Sequence, residues 1–259
     1  MSSRLPASSR APLGLIGFGA FGRLIAGHLS RHFHVHAYDP GPAHDPTPAD
    51  IVPASLAEAA ACPIVILATP VSAISEVVAA IRPHLRPGVL VLDVGSVKMV
   101  PARIMAEGLP AGVAIVATHP LFGPQSARAG LRGAKIAVCE VRGGRAGRVA
   151  AFLRRAFGLD AILTTPEAHD RDAATVQGLT HLIARALVQM EPLPTRMTTP
   201  SFDRLMQAVE MVRHDAPEVF DAIERANPYV AEIHRRFVAQ TARLVTELAP
   251  EGTGLVRAA

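Results

Sequence analysis

The chain reads as an α/β protein: a doubly wound, mainly parallel sheet followed by an all-helical region. Three observations lead there. Glycines fall as G-x-G-x-x-G at Gly17, Gly19 and Gly22, directly after an apolar run. From there to about residue 165, short runs of Val, Ile, Leu and Ala alternate with stretches of helical periodicity. Beyond Thr165-Pro166 the strand signals stop and the helical ones continue. A chain of 259 residues has room for one large domain or two modest ones, each with its own core.

Each element follows from local pattern. Residues 1–11 carry Ser, Arg and Pro without an apolar run and read as a disordered tail. Residues 13–18 form a buried strand, 21–31 a helix, and Phe33–Tyr38 a second strand. Further strands are expected at Ile64–Leu67, 89–93, 114–118, 135–139 and 161–164, with helices at 73–81, 97–106 and 148–157. Pro166 suits the first turn of a long helix running to about Met190. Pro192, Pro194 and Pro200 interrupt the chain before helices near 201–213, 217–226 and 228–248, and the end from Ala249 is loop-like. The expected division is a tail at 1–11, a nucleotide-binding unit at 12–165 and a helical unit at 166–259.

Composition narrows the function classes. Hydrophobic residues make up 49% of the chain, aromatics 4%, and Trp is absent. That suits an aliphatic α/β core and argues against a stacking platform for bases. The net charge is +4, yet the Arg residues are dispersed and no basic run occurs. An anionic small molecule is the expected partner, and nucleic acid is not. Two isolated cysteines, Cys62 and Cys139, support neither a disulfide framework nor a metal site. No apolar stretch is long enough to span a bilayer, so a cytoplasmic protein without a membrane partner is expected.

The glycine motif carries the first chemistry. Set between strand and helix, it is the signature of a Rossmann-type dinucleotide site. Gly17 permits the tight turn, Gly19 lets backbone approach a pyrophosphate, and Gly22 lets helix pack on strand. Phe18, Ala20 and Phe21 share that loop. Asp39, 22 residues after Gly17, is placed to accept the adenosine ribose hydroxyls. It would repel a 2′-phosphate, and no Arg or Lys lies in residues 40–50, which favours NAD over NADP. The alternative for Asp39 is a cap on the turn Asp39-Pro40-Gly41-Pro42.

Three strand ends open onto the same crevice and carry distinctive residues. Thr69-Pro70 ends one and is expected beside the cofactor. Asp93-Val94-Gly95-Ser96-Val97-Lys98 ends another. Thr118-His119-Pro120-Leu121-Phe122-Gly123-Pro124 ends the third. His119 is expected just past its strand, at the crevice mouth, where imidazole can take a hydroxyl proton as hydride leaves the same carbon. Ser96 is expected both to touch cofactor and to orient His119 by a hydrogen bond. Lys98 reads either as an anion binder or as a solvated residue of a helix's first turn.

These strand-end motifs resemble the prephenate/arogenate dehydrogenase family of tyrosine biosynthesis. Glu167-Ala168-His169-Asp170 and Gln177-Gly178-Leu179-Thr180-His181 are similar to that family's interdomain-helix pattern, E-x-H-D followed by Q-x-x-T-H. The resemblance extends from about Leu13 to about Phe220. It implies a homodimer built through the helical unit, NAD or NADP as cofactor, and oxidative decarboxylation of a hydroxycyclohexadienyl acid. It further implies that His119 is the catalytic base, Ser96 its partner, and Gln177 and His181 substrate-facing residues on one helix face. Gln125 and Ser126, on the loop after His119, are expected in the substrate pocket. His169 and Asp170 match the start of the same helix, where capping is the expected role.

Two details bear on the substrate. The family's prephenate-type G-F-R-D segment stands here as Ser201-Phe202-Asp203-Arg204, with the Arg displaced by one position. Asp215 aligns with an acid that the resemblance associates with arogenate, whose ammonium it would pair with. Asp215 also reads as an N-cap for the helix that follows. Arogenate is therefore the expected substrate, with prephenate or both as the alternative. The rival readings are a hydroxyacid or imine reductase, expected to use a catalytic Lys or Asp, and a non-catalytic dinucleotide-binding regulator.

Overall fold

The computed structural model describes residues 10–41 and 47–249. Eight strands form one sheet in the order β3-β2-β1-β4-β5-β6-β7-β8. The strands are β1 (Ala11–Ile16), β2 (Phe33–Tyr38), β3 (Ile51–Pro53), β4 (Ile64–Leu67), β5 (Leu90–Asp93), β6 (Ala114–Pro120), β7 (Lys135–Arg142) and β8 (Asp160–Thr164). Strands β1 to β6 run parallel; β7 is antiparallel to β6, and β8 runs parallel to β7. The order reverses between β1 and β4, which opens a crevice at the carboxyl ends of both strands.

Helices cover both faces. Leu13, Leu15, Val35 and Val116 pack on one side with α1 (Ala20–Leu29) and α5 (Ala146–Phe157). Ile16, Val65, Leu67, Val91 and Ile115 pack on the other with α2 (Leu56–Ala60), α3 (Ile74–Ile81) and α4 (Met99–Gly108). The near-continuous apolar strands are those of a parallel sheet buried on both faces.

The structure departs from the sequence expectation at several places. The β1 strand starts at Ala11, so the last expected tail residue belongs to the sheet, while residues 1–9 lie outside the described residues. Pro42 of the expected Asp39 turn also lies outside them, as do residues 250–259. Strand β3 and helix α2 were not expected. With three residues and Pro53, β3 tolerates its proline because it lies at the sheet edge. Helix α2 starts on a capping box: the Ser55 hydroxyl accepts from Glu58 N–H, and the Glu58 carboxylate accepts from Ser55 N–H.

Among the described residues, every element after Thr164 is helical. Thr165 caps α6 (Pro166–Ala173), accepting from Ala168 N–H, with Pro166 in the first turn. A π-helical turn at Ala174–Gly178 joins it to α7 (Leu179–Gln189), so the long helix expected from 166 is interrupted once. Then come α8 (Pro200–Arg213) and α9 (Pro217–Asp221), a second π turn at Ala222–Ala226, and α10 (Val230–Leu248). Val71 and Val97, on loops after β4 and β5, bury against Ala222. That apolar contact docks the helical region on the crevice side of the sheet.

Candidate active site

The glycine loop leaves β1 at the crevice. Gly17 has φ +98°, and a Cβ there would lie 2.4 Å from the Ala68 carbonyl oxygen of the neighbouring strand end. A Cβ on Gly22 would lie 2.2 Å from the Gly17 oxygen, so only glycine lets α1 start this close to the strand. Above Gly19 there is open space. Helix α1 has no acid in its first turn and no side-chain cap, which leaves its first N–H groups facing that space.

Asp39, at the end of β2, accepts from Phe18 N–H at 2.6 Å and from Gly41 N–H at 2.8 Å. It does cap its turn, and it also ties β2 to the glycine loop. A carboxylate has room for further donors beyond these two. Across the crevice, the buried Thr69 hydroxyl has no hydrogen-bond partner among the described residues. Open backbone donors, an acid at the strand end and this unpartnered hydroxyl together fit a dinucleotide.

The chemistry-bearing residues converge at the ends of β5 and β6. His119 lies inside β6, opposite Ala137 of β7, and is 4% exposed. The expectation that it stands just past the strand is corrected: pairing with β7 carries β6 on to Pro120. Its Nδ1 lies 2.8 Å from Nε2 of His169, and Nδ1 of His169 lies 2.8 Å from Oδ1 of Asp170. Burial, followed by the neighbouring His169 and Lys98, pushes the His119 pKa well below the ordinary imidazole value. The ring is therefore neutral at physiological pH.

Ser96 does not orient His119. It is half-buried on the loop after β5, with no hydrogen bond to that ring, whose Nδ1 is held by His169 instead. His169 and Asp170 do not cap their own helix, whose N-cap is Thr165. Asp170 is fully buried and accepts from the Lys98 and Met99 N–H groups at 2.7 and 2.9 Å, which caps α4 instead. Asn227 donates to the Asp170 carbonyl at 2.8 Å. Lys98 is neither an anion binder nor solvated. It is fully buried, ion-paired with Asp93, and donates to the Thr118 carbonyl at 2.6 Å.

The helical region carries the remaining candidate residues. Gln177 sits in the π turn with its Oε1 buried and without a partner among the described residues. His181 follows one turn later, 5% exposed, with Nε2 3.6 Å from Oδ2 of Asp215. Burial lowers the His181 pKa against the opposing pull of Asp215, and burial raises that of Asp215 against His181. Asp215 does not cap α9: Ala216 holds the N-cap position and no side chain bonds there. The Phe220 ring lies 5.9 Å from that of His181 and under the Arg185 guanidinium at 4.9 Å.

Gln125 and Ser126 are exposed on the loop after β6. The Ser126 hydroxyl is engaged within that loop, 3.0 Å from Gly123 N and 3.2 Å from Gly123 O. Phe122 of the same loop contacts Phe21 of α1, with centroids 6.3 Å apart. The roles of His169, Asp170 and the Asp93–Lys98 pair escaped the sequence. The motif order E-x-H-D pointed at the residues, but only tertiary contact brings them 50 to 72 positions along the chain to His119 and Lys98.

Fold and site define an α/β protein whose dinucleotide-type crevice is walled by a helical unit, with a neutral imidazole at a strand end. Residues 47–141 match the family model described as prephenate dehydrogenase, nucleotide-binding domain, and residues 165–256 the one described as prephenate dehydrogenase, dimerization domain. The chain belongs to the prephenate dehydrogenase family. It is 30% identical over 187 residues to a protein named "Probable arogenate/prephenate dehydrogenase" from Methanocaldococcus jannaschii, covering 68% of this chain and 42% of that one. It is 27% identical over 253 residues to arogenate dehydrogenase 1, chloroplastic, of Arabidopsis thaliana, covering 93% and 39%. The chain thus spans about two fifths of the length of these two relatives. In fold it is similar to prephenate dehydrogenase from A. aeolicus, solved with hydroxyphenyl propionate and NAD+, with TM-score 0.69, 19% identity, and coverage of 94% and 92%. Among the described residues no helix is long and apolar enough to cross a membrane, and no cluster of three metal-ligating side chains occurs.

Proposed function

We propose that the chain is an NAD-dependent arogenate dehydrogenase, converting arogenate to tyrosine by oxidative decarboxylation. The observation that carries this reading is the buried His119 at the end of β6, with Gln177 and the His181–Asp215 pair on the helical region.

The residues that would hold NAD are the loop Gly17, Phe18, Gly19, Ala20, Phe21 and Gly22, together with Asp39, Thr69, Pro70 and Ser96. When bound, NAD+ supplies the acceptor for the hydride on ring C4. His119 takes the proton from the hydroxyl on that carbon. Loss of the ring carboxylate as carbon dioxide sends its electron pair into the ring. The proton then returns from His119 to the phenolate oxygen, so the base is regenerated. Gln177, whose buried oxygen has no partner among the described residues, would accept a substrate donor. Asp215 attracts the ammonium of arogenate and repels the keto acid side chain of prephenate. Gln125 and Ser126, exposed on the loop after β6, would contact substrate from that side.

The protein acts as a homodimer formed through its helical region, the part that matches the dimerization domain, and it works in the cytoplasm. Its two free, buried cysteines suit a reducing compartment. The test is a turnover assay with NAD and each of arogenate and prephenate, run beside His119→Asn. Arogenate should be oxidised faster. The variant should lose two or more orders of magnitude in kcat, the scale of a general base, while its Kd for NAD holds. Turnover of neither substrate, or wild-type kcat in the variant, overturns the reading. Light scattering at micromolar concentration should give twice the chain mass.

A further inference from the structure

We infer that His169 and Asp170 are positioning residues that set the tautomer of His119, so that Nε2 is the atom presented to substrate. This rests on the dehydrogenase reading for its catalytic meaning, but the geometry is independent of it. Asp170 is the fixed end of the chain. Its carboxylate is fully buried and accepts the backbone N–H groups of Lys98 and Met99. It is also acceptor-only, so the 2.8 Å contact from His169 Nδ1 must be a donation by His169.

A His169 ring with one proton, donated from Nδ1 to Asp170, has a bare Nε2. That nitrogen lies 2.8 Å from Nδ1 of His119, so His119 must in turn donate from Nδ1. The remaining nitrogen of His119, Nε2, is hydrogen-bonded by none of the described residues and is left as the lone-pair site. Free imidazole side chains exchange between tautomers; here two consecutive buried hydrogen bonds select one. Once Nε2 has taken the substrate proton, the Nδ1–H of the imidazolium still points through His169 toward Asp170. The positive charge therefore forms facing a buried carboxylate, the orienting logic of a base held by a third group.

The arrangement joins the two halves of the chain. His119 belongs to the sheet, and His169 and Asp170 to the first helix after it. Asn227, at the far end of the second π turn, fastens the Asp170 carbonyl. The base is thus oriented only when the helical region is docked on the sheet.

The test is the nitrogen spectrum of the full chain labelled with 15N-histidine. His119 signals are identified by their loss in His119→Asn. Nδ1 of His119 should resonate as a protonated nitrogen and Nε2 as a bare one. His169→Leu removes the acceptor: the His119 tautomer should shift toward Nε2–H, and kcat should fall about 100-fold with KM changed less than twofold. His169→Gln, whose Oε1 can stand where Nε2 stood, should restore the tautomer and most of kcat. An Nε2–H tautomer in the wild type, or an unchanged tautomer in His169→Leu, overturns the inference. Should His169→Leu fail to fold, the wild-type spectrum still decides. Absence of turnover with both substrates, alongside the expected spectrum, would overturn the proposed reaction and leave the tautomer assignment standing.

Discussion

The Nε2 of His181 faces Oδ2 of Asp215 at 3.6 Å, across the gap between α7 and the turn that follows α8. His181 is buried and Asp215 only partly so, with 37% of its side chain exposed. A carboxylate held there, short of a tight ion pair, keeps acceptor capacity for a second cation. In Asp215→Asn the charge is lost and the size is kept. The ratio of kcat/KM for arogenate over prephenate should fall about 10- to 150-fold, equivalent to about 1.5–3 kcal/mol, the range for a hydrogen bond to a charged group. An unchanged ratio would show that Asp215 serves His181 alone.

Both buried imidazoles make the fold acid-sensitive. His119 is faced by His169 from α6 and by Lys98, itself paired with Asp93, from the loop after β5; His181 is faced by Asp215. Their folded pKa values lie below the ordinary 6.5, so below that pH the unfolded chain binds protons the folded one refuses. Stability should be fully present above pH 6.5 and decline as the pH falls from there. Urea midpoints measured from pH 7.5 down to 5 should show the decline, and His119→Asn should flatten it. Equal slopes in the two proteins would mean that His119 titrates normally.

Cofactor choice should turn on Asp39. Its carboxylate joins the glycine loop to β2 through Phe18 N–H and sits where a 2′-phosphate would come. Wild-type kcat/KM should favour NAD. Asp39→Ser should raise relative activity with NADP while weakening NAD, because the loop loses its tether. Comparable kcat/KM for both cofactors in the wild type would reduce Asp39 to a turn cap.

The Asp93–Lys98 pair lies wholly out of solvent beneath the site. In Lys98→Met the buried Asp93 loses its cation, and its pKa, already raised by burial, is pushed higher still. A broken buried pair costs about 3–5 kcal/mol. Urea denaturation should show a loss of that order, and Asp93→Leu combined with Lys98→Met should recover part of it. A loss under about 1 kcal/mol, the scale of a solvated pair, would be inconsistent with burial.

The sheet, the glycine loop and the helical second half were legible in the sequence because each is written locally. Apolar runs such as Ile64–Leu67, the G-x-G-x-x-G spacing and the Pro166 start need no distant partner to be recognised. The weakest local signals were missed for the same reason. Strand β3 is three residues long, and its pairing with β2 exists only in the folded sheet. His119, Gln177, His181 and Asp215 could be nominated from motif order and helix periodicity. Which of them touch could not be read that way. Ser96, close in motif terms, does not reach His119, whereas His169, 50 residues away, does. The sequence by itself therefore determined the fold class and the residue types available at the site. The tertiary structure alone decided their pairing: His169 on His119, Asp170 on α4, Asp215 on His181 and Lys98 on Asp93. Hydrogen bonds and ion pairs depend on ångström distances between elements remote in the chain, and periodicity carries no information on those distances.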